Sequence, residues 1–175
     1  MKREHSFGSR LMRGFTLVEL MIVVVLVAVL MTIATPYFGQ FILNQRLITT
    51  SADLRIALST ARSEAVKRNR AVGLNMSDDG WSAGWSIPNP EAVDLPDVLN
   101  HVQTGDITIT KETGPASEVV FSPQGRALAA ANFEIVVGPD PSKATGCLRL
   151  RIDGRMEYCR QSCPFADPKP DSCGS

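Results

Sequence analysis

The sequence predicts an α+β protein, with one long amino-terminal helix followed by a head built mostly of β-strands. Two observations predict the helix: residues 20–45 carry no charge and are mainly apolar, and a helical pattern of apolar residues continues to about residue 69. Short runs with period-two or β-branched character, from residue 72 onwards, predict the head. The 175 residues suit one compact domain plus an apolar segment, and an apolar content of 44% is too high for a disordered polymer.

The apolar segment is long enough to cross the roughly 30 Å of membrane hydrocarbon as a helix. Basic residues precede it and none lies immediately downstream, which predicts a cytoplasmic amino terminus and an exported head. A plain signal peptide cut near Ala34 shares these features and is the alternative. The basic residues are Lys2, Arg3, Arg10 and Arg13.

The second half of the predicted helix is amphipathic. One helix from residue 15 to about residue 69 would be roughly 80 Å long at 1.5 Å per residue. Its apolar stripe needs a surface to cover it, so we expect it to pack against the strands of the head. Pro36 either kinks the helix or marks the end of the span. The stripe consists of Leu43, Leu47, Leu54, Leu58, Ala61 and Ala65, with Ser51 as a polar exception.

Glu19 places a carboxylate at the edge of the apolar helix, where burying a charge costs a few kcal/mol. Such a charge normally needs a partner. If the chain were cut between Gly14 and Phe15, each mature subunit would begin with a positive amine four residues before Glu19. A neighbouring subunit could then supply the partner.

Six short runs predict the strands of the head, and glycine- or proline-containing turns separate them. Trp81 and Trp85 lie four residues apart, so strict alternation puts both on one strand face, where we expect them to fill the core. The runs cover residues 72–76, 81–87, 107–111, 119–122, 133–137 and 148–152.

An even set of cysteines near one end of the chain indicates disulfides formed in an oxidising compartment. A zinc site is the alternative, but the spacing contains no C-x2-C pair and no nearby histidine. The four residues are Cys147, Cys159, Cys163 and Cys173.

The last hairpin predicts one pairing of these cysteines. A loop of residues 152–154, with Gly154 in the left-handed conformation, would pair Arg151 with Arg155 and place Cys147 opposite Cys159, at a separation that suits a disulfide. The other two cysteines would then close the tail loop, although sequence alone leaves three connectivities open.

The sequence favours a non-enzymatic protein without metal or cofactor. It contains no Walker loop, dinucleotide-binding glycine pattern or HExxH. Of its two histidines, His5 lies in the predicted leader, and His101 lies in a loop-like stretch with no serine or cysteine nucleophile motif around it. Without its first fourteen residues the chain is mildly acidic, which argues against broad binding to phosphate backbones.

The motif GFTLVE at residues 14–19, followed by the apolar run and Pro36, resembles the class III leader and first helix of type IV pilins and pseudopilins. The resemblance implies that a prepilin peptidase cuts after Gly14 and that the new amino terminus at Phe15 is N-methylated. It also implies that Glu19 is the assembly carboxylate, with Thr16 supporting its contact.

Four further blocks, at residues 53–74, 80–87, 119–128 and 148–158, resemble the GspH/FimT family, which contains minor pilins of the FimT and FimU types and minor pseudopilins of type II secretion. The implied fold is type IV pilin-like. The implied function is a minor pilin in a priming or tip complex of the pilus, and the alternative is a minor pseudopilin of type II secretion. Partners would be other pilins or pseudopilins, prepilin peptidase and an inner-membrane assembly platform.

Four segments follow from the residues and the resemblance together. Residues 1–14 form a leader peptide, residues 15–42 a transmembrane and filament-core helix, residues 43–69 the amphipathic helix half, and residues 70–175 a periplasmic head with a cysteine-rich tail. The precursor would sit in the inner membrane with its amino terminus in the cytoplasm, and the mature subunit in a filament.

In FimT-type relatives a GRxR-type motif near the carboxyl terminus is implicated in DNA binding for transformation, which makes a DNA-binding minor pilin a second alternative. Here residues 154–157 read GRME, so glutamate replaces the second arginine of that motif. Candidate DNA contacts are Arg151, Arg155 and Arg160. Solvated basic side chains on a strand are the simpler interpretation.

Overall fold

The structure, a computed structural model, describes residues 15–91, 94–140 and 142–163, without the side chains of residues 33–37. One α-helix precedes eight β-strands in this part of the chain, so the α+β prediction is confirmed. The elements are α1 (Leu17–Lys67), β1 (Val72–Ser77), β2 (Gly80–Ile87), β3 (Leu99–Val102), β4 (Ile107–Lys111), β5 (Glu118–Phe121), β6 (Ala131–Val137), β7 (Ala144–Leu150) and β8 (Met156–Cys159).

Both ends of α1 are capped. At the start, the Thr16 hydroxyl accepts a hydrogen bond from the backbone N–H of Glu19 at 3.2 Å, as expected of an N-cap residue. At the end, Asn69 adopts a left-handed φ of 49°, and the N–H of Arg70 bonds to the carbonyl of Ala65 at 3.2 Å. This is a Schellman-type cap, and it explains why the helix stops after Lys67.

Two compact units divide the chain between Gly39 and Gln40. Among the described residues of the first unit, the large apolar side chains from Phe15 to Met31 are exposed. The predicted leader, residues 1–14, lies outside the described residues. No helix built from the described residues has the length and hydropathy needed to cross a membrane.

The second unit contains two four-stranded antiparallel sheets, ordered β3-β2-β1-β5 and β4-β6-β7-β8. Ser82 on β2 links them across their adjacent strands, because its hydroxyl accepts a hydrogen bond from the Ile109 N–H of β4 at 2.9 Å. Trp81 packs edge-on against Phe133 of the other sheet, with ring centroids 5.0 Å apart. The two sheets therefore share one core.

The helical stripe predicted from the 4,3 spacing is buried in this core, apart from Leu43, which is partly buried against it. Ser51, the polar exception, donates its hydroxyl to the carbonyl of Leu47 at 2.7 Å, which satisfies the only polar group of its side chain. Thr50 and Ala57 are also buried, although the spacing did not identify them.

Both tryptophans are core residues, as predicted from the sequence. The indole N–H of Trp81 donates to the carbonyl of Ala116 at 2.8 Å, so its burial leaves no unpaired donor. The Trp85 ring stacks on His101, with centroids 4.3 Å apart and planes inclined by 14°. His101 lies on β3, so the loop expected around it is wrong, and the sequence runs did not include this strand.

The β7–β8 hairpin has the predicted geometry. Gly154 has a φ of +81°, the Arg151 N–H donates to the carbonyl of Arg155 at 2.9 Å, and Cys147 lies opposite Cys159. This confirms both the left-handed glycine and the register.

The disulfide expected from that register is wrong. Cys147 bonds to Cys163, with Cα atoms 5.2 Å apart, and Cys159 is disulfide-bonded but not to Cys147. The expected Cys163–Cys173 bond is therefore wrong as well, and Cys173 lies outside the described residues.

Hydrogen bonding along the hairpin explains the difference. Hydrogen-bonded and non-hydrogen-bonded pairs alternate along an antiparallel ladder, so Cys147 and Cys159, four positions from Arg151 and Arg155, again form a hydrogen-bonded pair. Side chains in such pairs stand about 5.5 Å apart at Cβ, whereas a disulfide needs about 3.5–4.5 Å. The bend in the chain after β8 brings Cys163 within reach instead.

Candidate functional site

The amino-terminal candidate site begins at the start of α1. Gly14 lies outside the described residues, and the side chain of Phe15 is exposed. Thr16 caps the helix and Glu19 occupies its first turn, a spacing typical of a capping box. Within the described residues the Glu19 carboxylate has no ion-pair partner. The first turn thus presents a carboxylate on an otherwise apolar, exposed helix surface.

A second candidate site is the arginine-rich end of the β4-β6-β7-β8 sheet. Arg149 on β7 lies opposite Glu157 on β8, and its Nε donates to Oε2 of that carboxylate at 2.8 Å. Arg151 reaches the other oxygen of Glu157 at 4.0 Å. One carboxylate therefore serves two guanidinium groups on the surface of this sheet.

Asp153 organises the hairpin loop. Its Oδ1 accepts a hydrogen bond from the backbone N–H of Arg155 at 3.0 Å, and its Oδ2 accepts one from the Nε–H of the same residue at 2.9 Å. The backbone hydrogen bond, assisted by the guanidinium, lowers the pKa of Asp153 below its ordinary value. Asp153, two positions earlier in the chain, thus holds the Arg155 guanidinium in place.

Arg62 of α1 holds this hairpin through two hydrogen bonds to its backbone. Its Nη1 donates to the carbonyl of Gly154 at 2.9 Å, and its Nη2 to the carbonyl of Asp153 at 3.4 Å. A Cβ at Gly154 would stand 2.8 Å from the Arg62 Cζ and 2.7 Å from the carbonyl oxygen of Gly125. Glycine is needed here for both backbone conformation and close approach.

The three candidate DNA contacts do not form one cluster. Arg151 and Arg155 face each other across the hairpin, whereas Arg160 follows the far end of β8. Arg160 is five positions after Arg155, which in an extended chain corresponds to about 16 Å. The acids described above also hold the first two arginines.

An open cleft of about 540 Å³ lies beside the hairpin. Sequence analysis missed it, because its polar side chains come from three separate segments and no local motif joins them. The described residues that line it are Thr113, Arg126, Ala130, Asn132, Arg149, Leu150, Arg151, Ile152 and Asp153.

Among the described residues, no group of three or more histidine, cysteine or acidic side chains could hold a metal ion. The cysteines of that part of the chain all form disulfides.

A long amino-terminal helix, antiparallel sheets and a carboxylate in the first helical turn together define a pilin-like subunit. Residues 9–35 match the family model described as the prokaryotic N-terminal methylation motif, and residues 50–154 match that of the type II transport protein GspH. The second match covers more than half of the chain, which therefore belongs to the GspH family.

Two crystal structures of the type IV minor pilin FimU from Pseudomonas aeruginosa share this fold. The first is 23% identical, with a TM-score of 0.53, and the match covers 67% of this chain and all of FimU. The second is 24% identical, with a TM-score of 0.52, and the match covers 75% of this chain and 97% of FimU. No curated protein sequence matches the chain.

Proposed function

We propose that the chain is a minor pilin that contributes to the initiation of a type IV pilus or to its tip complex. The observation that carries the proposal is the exposed apolar helix surface between Phe15 and Met31, together with the Glu19 carboxylate, which has no ion-pair partner among the described residues. Burying one large aliphatic side chain is worth about 1.5–3 kcal/mol, so this surface favours association with similar helices. The fold shared with FimU supports the same proposal.

In the proposed mechanism, apolar helices bundle in the filament core, and the heads form the outer surface. Glu19 pairs with the amine of an adjacent subunit's Phe15, which sets the register because an unpaired buried charge is costly. Residues 15–42 hold the precursor in the inner membrane before assembly, and residues 43–69 join this segment to the periplasmic head. Prepilin peptidase, other pilins and an inner-membrane assembly platform are the partners that this mechanism needs.

Intact mass of the membrane-extracted protein from its native host tests the proposal. We expect a chain that starts at methylated Phe15. Gly14→Ala should prevent the cut, whereas Gly39→Ala should not, since a Cβ there meets no atom within 4 Å. Glu19→Ala should be processed but should fail to enter filaments. An uncut wild-type chain, or one cut near Ala34, contradicts the proposal.

A minor pseudopilin of type II secretion is the second candidate, because the matching family is described as a type II transport protein. The same helix would then build a short periplasmic pseudopilus. Deletion of the gene separates the two: we expect loss of surface pili with secretion intact. Loss of secretion with normal pili would favour the pseudopilin.

A DNA-receptor pilin has less support. Glu157 and Asp153 engage the arginines nearest to the hairpin, and Arg160 lies apart from them. Binding that weakens with salt and with Arg155→Ala would favour this function.

A further inference from the structure

Two donors in the cleft beside the β7–β8 hairpin have no partner among the described residues. One is the guanidinium of Arg126, which is exposed on the connection between β5 and β6. The other is the side-chain amide of Asn132 on β6, which lies directly opposite Arg149 on β7. Opposite residues in such a ladder have Cβ atoms within about 5.5 Å. Donors from two elements therefore converge on one open space.

Among the described residues that line the cleft, positive charge exceeds negative charge. Three of them are arginines, Arg126, Arg149 and Arg151, and one, Asp153, carries a carboxylate. Glu157 lies on β8, and its carboxylate is shared by Arg149 on β7 and by Arg151, which directly follows that strand. The arginine that follows in the hairpin already holds Asp153. An anionic group is the ligand that this charge distribution favours.

Apolar groups form another part of the cleft wall. Ala130, Leu150 and Ile152 line it, and Ile152 is half-exposed. Leu128, two residues from Arg126, is also exposed. A carboxylate with an apolar neighbour therefore fits the cleft better than a bare anion.

A nucleic acid fits this surface less well than a peptide. Phosphate backbones are bound by several cations along an extended surface, and each contact adds to the salt dependence. Here the cations converge on one concave site, and Arg160 lies at the far end of β8. A single carboxylate needs only one well-placed guanidinium, such as that of Arg126.

We propose that this cleft binds an acidic segment of a neighbouring protein subunit, with a carboxylate at Arg126 and Asn132 and an apolar side chain against Ile152. The inference rests on the proposed function, since it assigns the head surface that contacts the next subunit in the filament or tip complex.

Fluorescence anisotropy of the purified full chain in zwitterionic detergent tests this binding. The probe is a labelled hexapeptide with two adjacent aspartates between leucines, and the matched peptide carries asparagines instead. We expect only the acidic peptide to bind. Arg126→Gln should weaken binding about tenfold, because it removes one charge-assisted hydrogen-bonding group. Ala130→Glu should weaken it as well, by placing a carboxylate in the cleft.

Arg55→Gln is the control, since Arg55 is exposed on α1 away from the cleft lining, and should leave affinity unchanged. Equal binding of the two peptides, or affinity unchanged by both cleft variants, overturns the inference. So does a short DNA duplex that binds more tightly than the acidic peptide and depends on Arg126. The binding assay does not depend on processing at Gly14. A chain that is processed but does not bind the acidic peptide refutes the proposed role of the cleft alone. A chain that binds the peptide but is not processed refutes the proposed function.

Discussion

Replacing Gly154 with alanine tests how closely the β7–β8 hairpin packs on α1. The residue has a φ of +81°, and an added Cβ would stand 2.7 Å from the Gly125 carbonyl oxygen and 2.8 Å from the Arg62 Cζ. The left-handed conformation costs an alanine about 1 kcal/mol. Relieving the two close contacts costs about 1–3 kcal/mol more. The expected loss of unfolding free energy is therefore about 2–4 kcal/mol.

Gly80→Ala is the matched control for this loss. Gly80 has a φ of +91°, but an added Cβ would meet no atom within 4 Å, so only the conformational cost of about 1 kcal/mol remains. In thermal unfolding followed by circular dichroism, a chain of this size loses about 3 °C per kcal/mol. We expect the melting temperature to fall by about 6–12 °C for Gly154→Ala and about 3 °C for Gly80→Ala. Equal shifts would refute the close packing of the hairpin.

Three further predictions concern the head. Arg62→Met should cost about 1.5–3 kcal/mol in urea unfolding, because it removes charged hydrogen bonds to the hairpin, whereas Arg55→Met on the exposed helix face should cost little. Peptide mapping without reduction should recover Cys147 joined to Cys163, and a different linkage would contradict the structure. Removing this bond should lower the free energy of unfolding by about 3 kcal/mol, since it closes a loop with a sequence separation of 16. The pKa of Asp153 is lower in the folded than in the unfolded chain, so its contribution to stability is present above the unfolded pKa and is lost as the pH falls through the folded pKa. Asp153→Asn should therefore flatten the decline in melting temperature below about pH 4. An unchanged pH profile would count against the loop geometry.

Local sequence patterns were sufficient to predict the features that lie within one helix or one hairpin. The 4,3 spacing identified the buried stripe of α1, because helical periodicity places Leu47, Leu54 and Leu58 on one face whatever they pack against. Turn chemistry identified Gly154 and with it the register of β7 and β8, since a three-residue loop with a left-handed glycine permits few alternatives. The strand β3 was missed because Leu99–Val102 is short and has little β-branched character.

Contacts between distant segments of the chain could not be predicted from local sequence patterns. The cysteine pairing depended on the distance of 5.2 Å between the Cα atoms of Cys147 and Cys163. The bend after β8 creates this distance, and no rule of sequence spacing predicts it. The charge of the arginine-rich surface depended on which carboxylate each guanidinium reached, and Glu157 reaches two of them. Arg126 and Asn132 became neighbours of these arginines only through folding.

By itself, the sequence determined the α+β class, the long helix with its buried stripe, the tryptophan core and the final hairpin, because each follows from periodicity or turn chemistry within a short segment. Only the tertiary structure decided the disulfide partner of Cys147, the anchoring of the hairpin by Arg62 and the existence of the cleft. These features join residues that are far apart in the chain, and their distances depend on how the sheets and the helix pack together.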